Sequence, residues 1–347
     1  MLRSYLKASG KIAFQEGHSS CRVAIVRSPI RSEVMAAKRT RKLLAWALCL
    51  CPLLSTGQVS FQRILSGTGN ETATWVVEAH NGYLVSGHVT STSGNQDALL
   101  IRLDATGAPV WQKRFGAAQS EIFSCVAATS DGGYVAVGET KSFGAGNTDI
   151  YVVKVDASGN MLWSRTIGEA SSNETAMSVV AMPEGGIIVS GTVTVPAQGS
   201  VRSIVSLLNS SGNTLWSRTY SSNSHAQLLS TYVNNSEIYL SGSLDGDAAF
   251  ARLDLASGNV LGVVSYPSPG NESLSSQQPA NDGSIVLADF YSPVSLGEKS
   301  KLWVQKINPS NGQPIWSKTY ARQNDNLRGR IEKCADGGFL LVPTYHD

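Results

Sequence analysis

The chain has 347 residues, 42% of them hydrophobic and only 16% charged, with 33 glycines and a formal net charge of +2. That charge averages two unlike parts: residues 1–57 hold ten Lys or Arg against two acids (+8), and residues 58–347 hold 18 bases against 24 acids (−6). A mildly acidic body lacks the clustered positive charge of nucleic-acid recognition, which excludes that partner class, and its apolar content suffices for one large all-β unit.

In chain order, residues 1–34 come first, basic and poor in acids. They read as an extension upstream of the true start, with Met35 the initiator. Lys38, Arg39, Arg41 and Lys42 then precede an apolar run over residues 43–54, followed by Ser55, Thr56 and Gly57. A basic cluster, a short apolar run and small residues are the parts of a secretory signal peptide, assigned to residues 35–57 with cleavage after Gly57. The run is too short for a membrane helix, which needs about 20 residues. The expected address is therefore extracellular or cell-surface, with the periplasm as the alternative. Cys49 and Cys51 lie in the apolar run without the preceding small residues of a lipid-attachment site. Cys125 and Cys334 fall at different places within their repeats and are read as two free, buried thiols rather than a disulfide.

From residue 58 onward one pattern recurs, and recurrence is the most informative feature of the chain. A turn followed by a short apolar strand appears as Asp131-Gly-Gly-Tyr-Val-Ala-Val-Gly138, again from Asn81 and Glu184, and in weaker form from Asn235, Asp282 and Asp336. A second strand follows the first five copies, at 97–104, 149–156, 202–209, 247–254 and 301–308. Its closing Asp or Asn suits an Asx turn, and Gly107, Gly159, Gly212, Gly258 and Gly312 supply the positive φ such a turn needs. A further strand starts near Trp111, Trp163, Trp216 and Trp316, at spacings of 52, 53 and 100, with Leu261 filling the long gap. Adding a strand ahead of each turn, such as 123–129, gives four strands in about fifty residues, the blade of a β-propeller. One small sheet cannot bury both faces, but sheets stacked around an axis bury each other, so the Trp residues are expected to pack between blades. Five blades are complete. The sixth is short or truncated, and residues 59–65, with Phe61 in the Trp position, are expected to close the ring as its last strand.

The run of Asp-Gly-Gly-Tyr-Val from Asp131, then Asp149-x-Tyr-Val-Val-Lys-Val-Asp156-x-x-Gly159-Asn-x-x-Trp163-Ser-Arg165, resembles the propeller-like repeats of proteins exported by Bacteroidetes-type bacteria. The resemblance covers about residues 59–342 and is clearest in 121–168. It implies a multi-blade fold and a secreted or surface location; the sorting domain of the type IX secretion system that ends many such proteins is missing from the sequence. The Asp-x-x-Gly-x-x-x-Trp spacing is also similar to the blades of quinoprotein dehydrogenases. That likeness implies architecture, since no vicinal Cys pair or matching quinone or metal ligands stand in the chain.

One position carries candidate chemistry. Eleven residues before the turns stand Glu71, Glu121, Glu174 and Glu272, with His225 and Asn326 in the other two repeats. Carboxylates at one level of each innermost strand suggest a divalent-cation or polar-ligand site at the channel mouth. The competing reading is that each Glu accepts backbone hydrogen bonds at a blade corner. Asn70-Glu-Thr72, Asn173-Glu-Thr175 and Asn271-Glu-Ser273 fit a glycosylation pattern but belong to the repeat. The His residues are scattered, Asp245-Gly-Asp247 is too short for a calcium loop, and no nucleophile elbow, phosphate loop or dinucleotide fingerprint occurs. No further cofactor is expected. The leading expectation is a monomeric, exported scaffold without catalysis that binds protein or carbohydrate through loops such as 142–148 and 196–201. The rivals are an enzyme acting on glycans or a quinone-like cofactor in the central channel, and a truncated product without function.

Overall fold

The computed structural model of the chain describes residues 11–15, 21–26, 61–65 and 70–346, apart from 224, 268–269, 293–299, 321–325 and 335. The signal segment 35–57 and its cleavage point lie outside them. Three short strands come first, β1 (Lys11–Gln15), β2 (Cys21–Val26) and β3 (Phe61–Leu65), paired antiparallel in that order. Four-stranded blades follow. The first holds β4 (Asn70–Glu78), β5 (Gly82–Thr90), β6 (Gln96–Asp104) and β7 (Pro109–Phe115); the second β8 (Glu121–Ala128), β9 (Tyr134–Thr140), β10 (Asp149–Val155) and β11 (Met161–Ile167). The third has β12 (Asn173–Ala181), β13 (Ile187–Val195), β14 (Ser200–Leu208) and β15 (Thr214–Tyr220), with a single 3-10 turn at Pro196–Gln198 between its middle strands. The fourth has β16 (Ala226–Asn234), β17 (Glu237–Leu244), β18 (Asp247–Asp254) and β19 (Val260–Tyr266). The fifth has β20 (Asn271–Pro279), β21 (Ile285–Ser292), β22 (Lys301–Ile307) and β23 (Pro314–Tyr320), and a sixth sheet pairs β24 (Asn326–Lys333) with β25 (Phe339–His346).

The predicted blade order holds: every blade is antiparallel with its strands hydrogen-bonded in chain order. The core is not central but spread over the seams between blades. One cluster joins Leu84, Leu100 and Phe115 of the first blade to Phe123, Tyr134 and Tyr151 of the second. The next joins Val135 and Val152 to Ile187 and Ile204 of the third, and others link the third to the fourth, the fourth to the fifth, and the fifth to Ile331 of the sixth sheet. Stacked sheets thus bury what a single four-stranded sheet would expose.

Each inner strand of the first four blades carries a β-bulge, for example between Phe123 and Cys125. The strand beside it bears glycine there: a Cβ on Gly138 would run into the backbone carbonyl of Ile122. This explains why the recurring motif closes on Gly. The fifth blade breaks the rule, because Asp289 takes the glycine position and the ladder opens between Ser273 and Ser276.

Two expectations are corrected. Strand β3 pairs with β2, not with β25; the β-branched run Cys21–Val26 gives it a nearer ladder. Leu261 is not the stand-in for Trp. In register, Trp111 faces Arg102 and Trp163 faces Lys154, and the residue facing Arg252 is Gly262. Leu261 instead shares the outward-facing row with Val110, Leu162, Leu215 and Ile315, all exposed on the outermost strands. Those same strands carry Lys113, Arg165, Arg218 and Lys318 and no acid. Of the two thiols, both free, Cys125 is buried and pushed up to about 11 by desolvation, whereas Cys334 is only half-buried.

Candidate functional site

The two ends of each blade differ in chemistry. At one end lie the Asx turns and the Trp residues. The Asp156 carboxylate accepts the N–H groups of Ser158 and Asn160, both at 2.8 Å, and Gly159 closes the turn at φ 78°. Asp104 and Asn209 repeat this arrangement with Gly107 and Gly212. The Trp of the preceding blade roofs the turn. Trp111 donates its indole N–H to the Ala157 carbonyl at 3.0 Å, Trp163 to Ser210 at 3.2 Å and Trp216 to Leu255 at 3.1 Å. A Cβ on Gly159 would sit 2.9 Å from the Trp111 ring, and one on Gly212 2.8 Å from Trp163. Turn and Trp therefore form a latch from each blade to the next. At the fourth seam Gly262 supplies no indole; Val264 fills over Gly312, and the Tyr266 hydroxyl donates to the Gly312 carbonyl at 2.7 Å. Trp316 of the fifth blade remains exposed under the Lys318 ammonium.

Ion pairs brace the same end. Lys154 meets Asp131 at 2.8 Å, Arg252 meets Glu237 at 2.7 Å and Lys306 meets Asp282 at 2.7 Å, each tying a third strand to the turn of its own blade.

The opposite end holds the predicted carboxylates. Glu71, Glu121, Glu174 and Glu272 all lie in the first two residues of their inner strands and all are buried. Glu121 accepts the Ala117 N–H at 2.9 Å, the Thr140 hydroxyl at 2.8 Å and the Ser142 N–H at 3.2 Å. Glu174 accepts from the Ser172 hydroxyl and, at 3.4 Å, from the Glu169 N–H; burial pushes its pKa up, with Asp149 and Glu169 adding to the effect. Where His225 replaces the acid, Asp245 supplies the carboxylate, accepting the His225 N–H at 3.0 Å and the Asn223 N–H at 3.1 Å. At Glu121 and Glu174 a buried carboxylate holds the backbone of the loop above it, and in the fourth blade the exposed Asp245 does so. The Glu71 carboxylate has no hydrogen-bond partner among the described residues. Among those residues no three His, Cys, Asp or Glu side chains are grouped to hold a metal ion.

The loop 141–148 stands on this framework. Glu121 and Thr140 take the N–H groups of Ser142 and Phe143, and Asp149 takes those of Ala145 and Gly146. Its far end is stitched to the next blade, where Glu174 donates its N–H to the Thr148 carbonyl at 2.8 Å. So held, the loop presents Phe143, 43% exposed, with its ring stacked on Tyr151 at 5.7 Å. The sequence flags the loop but not Phe143, because nothing in the repeat marks an aromatic in an insertion. The second flagged loop contains the 3-10 turn, where Arg202 donates to Gln198 at 2.7 Å.

The family described as outer membrane protein assembly factor BamB matches residues 53–260 and, in a second overlapping match, residues 151–336. The chain belongs to that family. No curated protein matches this BamB-family chain in sequence. Among solved structures, a hypothetical selenium-binding protein from Sulfolobus tokodaii is similar at a TM-score of 0.57 and 11% identity, over 89% of this chain and 76% of that one. A subtype N10 neuraminidase-like protein of A/little yellow-shouldered bat/Guatemala aligns at a TM-score of 0.49 and 10% identity, over 80% and 92%. The quinohemoprotein alcohol dehydrogenase of Comamonas testosteroni aligns at 0.41 and 12%, over 73% and 45%. At such identities the likeness concerns fold alone. No helix of the described residues is long and apolar enough to cross a membrane.

Proposed function

We propose that this BamB-family propeller is an exported scaffold without catalysis, which binds a protein partner at the cell surface through the loop end carrying Phe143. The observation that carries this reading is the pinned loop itself. Three side chains, Glu121, Thr140 and Asp149, hold a short segment whose one large apolar group faces solvent. Interfaces draw most of their energy from a few rigid aromatic anchors, and an anchor ordered beforehand costs less entropy on binding. Membership of a family described as an assembly factor agrees with a partner-binding role. Export rests on the signal-like segment 35–57; its removal would take β1 and β2 with it and leave β3 without that ladder, and mass analysis of the protein from its native cells should find Gln58 at the N-terminus.

Site-specific photo-crosslinking in the native envelope tests the binding face. A photoreactive residue at position 143 should give one dominant protein adduct, and one at position 162, on the latch end of the same blade, should give none. Adding Glu121→Gln should weaken the adduct by releasing Ser142 and Thr140 from their acceptor. Equal adducts from both ends would refute the assignment, and so would robust turnover of glycans or dehydrogenase dyes that Glu121→Gln abolishes.

A further inference from the structure

The residue just past the bulge of each inner strand is Trp75, Cys125, Ser178, Ser230 and Ser276, and Arg330 stands at the matching place on β24. Four of these are small. Trp75 and Arg330 are not, and they meet: the Arg330 Cζ lies 4.5 Å from the centre of the Trp75 ring, joining the inner strands of the sixth and first sheets. The Arg330 side chain is exposed, yet the protein around it desolvates it and pushes its pKa down. A group both accessible and desolvated lines a narrow wet space rather than the outer surface.

Arg330 makes no hydrogen bond or ion pair with the described residues. The acids in its field are already engaged, Asp289 by the Ser275 hydroxyl and Glu332 by the Gln278 amide at 3.0 Å. Burial also pushes the Glu332 pKa up, while the nearby Arg330 charge pulls it down. Asp289 is the residue that displaces the recurring glycine and opens the β20–β21 ladder. A departure from the repeat that costs pairing and sets a countercharge near Arg330 points to a use other than folding. A guanidinium with one face against an indole keeps its in-plane N–H edge open, and that edge matches the two oxygens of a carboxylate.

We propose that Arg330 and Trp75 form a carboxylate-binding site in the space enclosed by the inner strands. The carboxylate belongs either to a small organic acid or to the C-terminus of a polypeptide. Calorimetry on the full chain at constant ionic strength, with chloride as control, separates the two. The probes are succinate, a pentapeptide with a free C-terminus and the same peptide amidated. Saturable binding of succinate supports the small acid, and binding of the free peptide but not its amide supports the chain terminus. Arg330→Gln should weaken binding about tenfold or more, since it removes the charged fork. Absence of saturable heat from every probe, or unchanged affinity in Arg330→Gln, overturns the proposal. Should Arg330→Gln fail to fold, Glu332→Gln decides: removing a neighbouring negative charge should tighten binding about threefold, and unchanged or weaker binding overturns it.

Discussion

Trp163 shows how much one side chain does in this protein. Its indole donates to the Ser210 carbonyl and its ring covers Gly212, whose φ of 77° and lack of a Cβ let the ring lie flat on the turn. Trp163→Ala should cost about 2–3 kcal/mol, less than the about 3–5 of a fully buried aromatic because part of the ring is wet. Gly212→Ala should cost about 1–3 kcal/mol through its strained φ and the collision with the ring. Both changes act on one contact, so urea unfolding should show the double variant losing less than the sum; additive losses would mean the two residues are independent. Acid acts on another brace. Hydrogen bonds from Lys154 and then Thr129 hold Asp131 at about 2, below its ordinary value of 3.8. The stability this adds is present above pH 3.8 and is lost as the pH falls through about 2. Asp131→Asn should therefore flatten the stability profile across that window in denaturation series, by a modest amount because the pair is solvent-screened. The turn Asp, the turn Gly and the Trp were all legible in the sequence, since each is required by local geometry and recurs. Arg330, Asp289 and Phe143 were not, because each is an exception to the repeat and repetition is what made the rest visible.

At the scale of the element, strand identity was easier to read than register. The four-strand blade follows from turn chemistry, and the inner strand gains Glu121 and Ile122 and loses Thr129 against the expected 123–129. The fourth outer strand misled because Leu261 sits one residue before the Trp position, where an apolar residue recurs in every blade. A shift of one along a strand moves a side chain to the other face of the sheet. The seam between the fourth and fifth blades consequently lacks an indole. A Cβ at Gly262 would meet nothing within 4 Å, so Gly262→Trp can bring an indole beside Val264, which now covers Gly312. It should stabilise by about 1 kcal/mol through added apolar burial and the removal of a strand glycine, read as a higher midpoint in urea; a lower midpoint would mean that Val264 and Tyr266 already fill the seam.

For the whole molecule, recurrence led to stacked blades, whereas the pairing of β3 with β2 lay beyond reach. Residues 11–26 carry no copy of the repeat, and long-range strand pairing depends on which edges are free, not on local preference. The outermost strands have a consequence for how these molecules behave in a crowd. Their backbones offer open edges and a row of greasy side chains, the ingredients of rim-to-rim zippering. Lys113, Arg165, Arg218 and Lys318 set like charge against like where the rims of the first, second, third and fifth blades approach. The rim charges so oppose edge-to-edge strand pairing.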